Sequence, residues 1–124
     1  MEASLLHADQ ALAPCRPGTP ALSATDCDAL LATLPGWQRV EVAGIFQLQR
    51  SYRFPDFAAA LAFANRVGAL AEAADHHPTI TLEWGKVTLH WWTHVIGGLH
   101  SNDFIMAERC DRASDPQQSG GTPA

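Results

Sequence analysis

Acidic and imidazole side chains gather in one short run, Glu72-Ala73-Ala74-Asp75-His76-His77-Pro78, and His94 and Asp103 follow within thirty-one residues of its start. Glu72 and His76 are four apart, so on a helix they share a face and can touch. A carboxylate beside an imidazole can fix its orientation and favour its charged form. Histidine, with an ordinary pKa of about 6.5, exchanges protons near neutrality, which suits general acid–base catalysis. An isolated E-x-x-x-H is common on exposed helix ends, so the partners of His76 and His77 decide whether this one is a site. Zinc is a weaker reading. Glu72, His76, His77 and His94 are admissible ligand types, but there is no HExxH and no paired Cys/His spacing. His90 lies four residues from His94, about 13 Å along a strand, too far to share an ion with it. No serine or cysteine stands in a nucleophile motif, and there is no glycine-rich phosphate loop. His7 and His100 receive no role.

The run must sit at a helix-to-strand junction. Pro55-Asp56 can open a helix, and Phe57, Leu61, Ala64 and Val67 trace one apolar side through many alanines. Gly68 weakens this helix without stopping it. Pro78 pushes His77 toward extended geometry, so the helix is expected to run to about Asp75 and finish at about His76. Beyond it, Ile80, Leu82 and Trp84 alternate with polar residues, as do Val87, Leu89 and Trp91. A two-residue loop at Gly85-Lys86 would pair Trp84 with Val87, Leu82 with Leu89 and Ile80 with Trp91. Carried outward, that register sets His77 opposite His94 on the same sheet face.

The remaining elements follow the same logic. Residues 1–22, with Pro14, Pro17, Gly18 and Pro20, read as an extended arm. Ser23 can cap a helix carrying Leu30, Leu31 and Leu34, which Pro35-Gly36 ends. Val40 and Val42, then Phe46, Leu48, Tyr52 and Phe54 after Gly44, give a hairpin with one buried face. Arg50 falls on that apolar face, where a structural partner is the expected explanation. Gly97-Gly98 permits a sharp turn, and Ser101 is a plausible cap for a last helix with Asp103 in its first turn. Residues 113–124 have the composition of a disordered tail. The order α-β-β-α-β-β-α predicts an α+β domain over 23–112, a four-stranded antiparallel sheet covered by helices on one face.

Composition narrows the function classes. At 124 residues the chain fits one domain, and its net charge of -5, with eight scattered Lys and Arg, argues against nucleic acid. No apolar run approaches the roughly 18 residues of a membrane span. The N-terminus lacks the features of a secretory signal, which predicts a cytoplasmic protein. Cys15, Cys27 and Cys110 are far apart and in no C-x-x-C pair, so reduced thiols are expected. Trp37, Trp84, Trp91 and Trp92 could stack on a flat heterocycle or fill a core. Thr88, His90 and Trp92 mark a mixed sheet face that could support self-association.

The gap-free series Glu72-x-x-x-His76-His77-Pro78, Trp84, Thr93-His94, Gly97-Gly98-Leu99 and Asp103 resembles the signature of the pterin-4a-carbinolamine dehydratases. A looser likeness extends from Gly18-Thr19-Pro20-Ala21-Leu22 through Gly36-Trp37. The resemblance implies a four-stranded antiparallel sheet with three helices on one side, assembling as dimers or tetramers. It also implies dehydration of 4a-hydroxytetrahydropterin, the product of aromatic amino acid hydroxylases, to quinonoid dihydropterin, with no metal or cofactor. It assigns proton transfer to His76 and His94, with Glu72 orienting His76 and His77 binding the pterin. Trp37 would line the ring, and Asp103 would orient His94 or contact substrate. Asp75, Pro78, Trp84 and Thr93 complete the expected substrate contacts. His100 stands where threonine or serine is commoner in the family. Two other roles occur among relatives: a dimerisation cofactor for a homeodomain transcription factor in animals, and a pterin-related role around molybdopterin enzymes.

Overall fold

The computed structural model describes residues 10–114. Helix α1 (Ala24–Leu31) is followed by strands β1 (Gln38–Val42) and β2 (Ile45–Arg53), helix α2 (Phe57–Ala74), strands β3 (Thr79–Glu83) and β4 (Lys86–Trp91), a 3-10 turn (His94–Ile96) and helix α3 (Ser101–Ser114). This is the expected order. The strands form one antiparallel sheet ordered β1-β2-β4-β3.

Strand alternation divides the sheet into a core face and a polar face. Leu48, Tyr52, Val87, Leu89 and Trp91 are buried on the first. Against them lie Phe63, Val67 and Ala71 of α2, Phe104, Ala107 and Cys110 of α3, and Cys27 of α1, in one continuous cluster. The other face carries Gln49, Ser51, Thr88 and His90, with Gln49 bonded to His90 at 3.0 Å and Ser51 to Thr88 at 2.9 Å. By length and composition α2 is apolar enough to cross a membrane. Its buried stripe of Ala60, Phe63, Val67 and Ala71 closes the core, as a core helix does.

Ser23 and Arg50 play the parts the sequence predicts, and a tight turn closes the first hairpin. Ser23 Oγ accepts from the Asp26 N–H at 3.1 Å and caps α1. Ala43 and Gly44 both have positive φ, 51° and 82°, the twist-matched turn that joins β1 to β2. Arg50 has its structural partner: its guanidinium bonds Asp111 Oδ1 at 2.9 Å and lies 4.5 Å from the Tyr52 ring centroid.

The β3–β4 register differs from the expected one by two residues. The observed pairs are Glu83 with Lys86, Leu82 with Val87, and Ile80 with Leu89, so the loop is Trp84-Gly85. Gly85 is held inside the turn because its carbonyl accepts from the Phe54 N–H at 2.9 Å, and a Cβ there would stand 2.9 Å from the Phe54 oxygen. A shift of two keeps every side chain on its expected face. The ladder ends at Thr79 with His90, however, so strand pairing does not bring His77 opposite His94.

The start of α3 also differs. His100 caps it, its Nδ1 accepting from the Asn102 N–H at 3.1 Å, and Ser101 is already helical. The helix continues through Ala113 and Ser114, and the rest of the expected tail, 115–124, lies outside the described residues together with 1–9.

Candidate active site

The junction after α2 is built by Asp75. It adopts the left-handed conformation, φ 52° and ψ 43°, which a short polar side chain tolerates better than most. The Asp75 N–H bonds the Glu72 carbonyl at 3.3 Å and the His76 N–H bonds the Ala71 carbonyl at 3.1 Å. These two bonds are a Schellman closure of the helix end. The helix therefore stops at Ala74, a little short of the expected His76, and Asp75 turns the chain before Pro78 acts.

That turn aims the two histidines at different acids. His76 Nε2 donates to Asp103 Oδ1 at 2.7 Å, whereas His77 Nε2 bonds Glu72 Oε2 at 2.6 Å. The expected Glu72–His76 pair is thus replaced by Glu72–His77, because the left-handed residue carries His76 inward off the helix face. Asp103, expected beside His94, holds His76 instead.

Asp103 is fully buried. Its Oδ2 accepts from the Thr93 hydroxyl at 2.8 Å and from the His100 N–H at 2.9 Å. The second bond is the returning half of a capping box, so one carboxylate both closes the first turn of α3 and orients His76. A carboxylate only accepts, which puts the His76 proton on Nε2 and leaves Nδ1 as the ring's basic nitrogen. The His76 side chain is 13% exposed, while those of His77 and Glu72 are 50% and 79% exposed. The outer pair is consequently loose and screened by water, and the inner pair is the ordered one.

His94 reaches the site by another route. Trp91 ends β4 and Trp92 follows it, each stacking on one of the two histidines. His76 stacks on Trp91, with centroids 5.5 Å apart and planes 15° apart, and His94 stacks on Trp92 at 4.3 Å and 10°. The Thr93–Gly98 bridge and Gly97, at φ 61°, close the turn that carries His94.

A cavity of about 600 Å³ lies over these residues, in the size range of small-molecule sites. Asp75, His76, His77, Thr93 and His94 line it, with Asp103 behind His76 and Glu72 beside His77. Pro78 directly precedes β3 and is not part of the wall. Trp37 and Trp84 are placed elsewhere. Trp37 is core, its Nε1 donating to Asp111 Oδ1 at 3.0 Å, and Trp84 is 69% exposed at the tip of the β3–β4 loop. Asp111 Oδ1 also accepts from the Tyr52 hydroxyl, which raises the Tyr52 pKa through burial and the adjacent carboxylate. Among the described residues no three His, Cys, Asp or Glu side chains converge as a metal-ligand set.

The sequence reading missed Asn102, Cys15 and the arm segment from Leu12 to Pro14, all in the cavity wall. Nothing in their spacing marks them, since only the fold returns the arm to α3. Burial, and secondarily the Asp103 carboxylate, raise the Cys15 thiol above its ordinary pKa.

A sheet of this order with a histidine cluster at its end defines a class of small α+β proteins, and the comparisons identify which. The family described as pterin 4 alpha carbinolamine dehydratase matches residues 20–113. A relative from Chlorobium limicola is 54% identical, over 80% of this chain and 88% of its own. One from Microcystis aeruginosa is 49% identical, over 84% and 90%. Both are provisionally named pterin-4-alpha-carbinolamine dehydratase. A crystal structure titled transcriptional coactivator/pterin dehydratase from Brucella melitensis superposes with a TM-score of 0.70 at 29% identity, covering 77% of this chain and all of that one. The chain belongs to the pterin-4-alpha-carbinolamine dehydratase family.

Proposed function

We propose that this chain dehydrates a 4a-hydroxytetrahydropterin, the product of an aromatic amino acid hydroxylase, to quinonoid dihydropterin. The carrying observation is the pair formed by His76 with the buried Asp103 carboxylate, opening into a cavity that also holds His77 and His94. Elimination breaks the bond from C4a to the hydroxyl and forms a double bond to the neighbouring ring nitrogen. His76, through Nδ1, accepts the proton from that nitrogen, and the Asp103 carboxylate stabilises the imidazolium so formed. His94 protonates the departing hydroxyl, which leaves as water. The proton on His76 then passes to solvent and His94 is reprotonated from it. His77, steadied by Glu72, binds the polar edge of the pterin.

Each positioned acid or base contributes about 10²–10⁴-fold. His76→Ala and His94→Ala are therefore expected to lower kcat by that order in an assay with enzymatically generated carbinolamine. Wild-type rates in both would overturn the assignment. A binding-scaffold role has no need of this ordered histidine–carboxylate pair, which is why the dehydratase reading is preferred. The polar sheet face around Gln49, Thr88 and His90 is the proposed surface for self-association as a dimer or tetramer.

A further inference from the structure

The proline-rich arm returns to the site. Leu12, Ala13, Pro14 and Cys15 supply a second wall to the cavity lined by His76, His77 and His94. One side chain holds them there. Asn102, only 4% exposed, accepts the Ala13 N–H at Oδ1 (2.9 Å) and donates from Nδ2 to the Ala13 carbonyl (2.7 Å). The same Nδ2 reaches Cys15 Sγ at 3.4 Å. The amide acts as the peptide of a neighbouring strand would, and its hydrogen-bonding capacity is spent almost entirely on the arm. Arg109 Nη2 adds a bond to the Gln10 carbonyl at 2.8 Å, and Leu12 packs against the core cluster.

Asn102 adjoins Asp103 on the first turn of α3, so the arm and His76 are registered to the same two residues. We infer that the Leu12–Cys15 segment, pinned by Asn102, is a specificity-determining wall against which the bound pterin packs. Leu12 and Pro14 present apolar surface on which a flat heterocycle can rest, while its polar edge meets the imidazoles. Asn102 is a positioning residue: it acts through the arm and not on the reacting atoms. The inference rests on the pterin reading above.

Two measurements on the full chain test it, with 7,8-dihydrobiopterin as the probe. By calorimetry, Asn102→Ala and Ala13→Pro are each expected to weaken binding about tenfold, the effect of losing one or two ordinary hydrogen bonds that hold a wall. In turnover they are expected to raise KM and leave kcat within about twofold. Ala13 is exposed, and its substitution by proline removes the N–H that Asn102 Oδ1 accepts. Iodoacetamide labelling of Cys15, followed by peptide mass, supplies a readout independent of activity. Cys27 and Cys110 are buried, so Cys15 is the accessible thiol of the three. Bound pterin is expected to slow Cys15 labelling several-fold in the wild type, and this protection is expected to vanish in Asn102→Ala.

Wild-type affinity in both variants, or pterin binding that leaves Cys15 labelling unchanged, would overturn the inference. Failure of the wild type to bind dihydrobiopterin would overturn the pterin reading, and the wall assignment with it.

Discussion

Replacing Asp103 by asparagine separates the orienting role of this carboxylate from its bulk. The side chain is fully buried and collects three donors: His76 Nε2 at 2.7 Å, the Thr93 hydroxyl at 2.8 Å and the His100 N–H at 2.9 Å. An amide offers one acceptor oxygen and one donor group. The Thr93 hydroxyl can rotate to accept, but the backbone N–H of His100 can only donate. The amide oxygen must therefore take the Oδ2 position, and the NH₂ group faces His76 Nε2. His76 then has to carry its proton on Nδ1, and the nitrogen needed as base is already occupied. The expected loss in kcat is about 10²–10⁴-fold, that of removing a general base by forcing the wrong tautomer. Exchanging charge-assisted bonds for neutral ones costs about 2–3 kcal/mol of stability in addition. Stopped-flow dehydration assays would read the first effect, urea unfolding the second, and nitrogen NMR of the His76 ring its tautomer. A folded Asp103→Asn variant with kcat within twofold of wild type, or a wild-type His76 protonated on Nδ1, would refute the reasoning.

Two further predictions follow from the junction and the sheet. Asp75 is left-handed, so Asp75→Gly is expected to hold or raise stability, while Asp75→Val should lose about 1–2 kcal/mol by urea unfolding. Equal stabilities would contradict a left-handed helix end. Burial lowers the His90 pKa below its ordinary 6.5, and its Nε2 bonds Gln49 as a neutral ring. The unfolded chain therefore takes up this proton first as pH falls. The stability His90 contributes is complete above about pH 6.5 and is lost on acidification below it. His90→Gln should lose less stability than wild type between pH 7.5 and 5.5, and parallel losses in urea titrations would contradict this.

Much of the fold was legible because its signals are local. Period-two alternation from Leu48 to Phe54 and the Ser23 cap each need only neighbouring residues, whereas Phe46, expected on the buried face, is exposed beyond the core. The hairpin register was not, since Gly85 is fixed by the Phe54 backbone thirty-one residues away. The site shows the same division. His76, His77 and His94 were legible as a cluster, but their partners were exchanged. Helical spacing predicts Glu72 with His76, and only the left-handed Asp75 sends His76 to Asp103. Asn102 and the arm were invisible because their contact spans 89 residues. Trp37, an aromatic suited to a ring site, is core because Asp111 on α3 holds its indole.

The central claim is that the histidine cavity eliminates water from the pterin carbinolamine. Its most direct test adds the wild-type chain to freshly generated 4a-hydroxytetrahydropterin and follows the decay of its absorbance by stopped flow. The account predicts a decay rate that rises in proportion to protein concentration. A rate that matches the protein-free control at every concentration would contradict it.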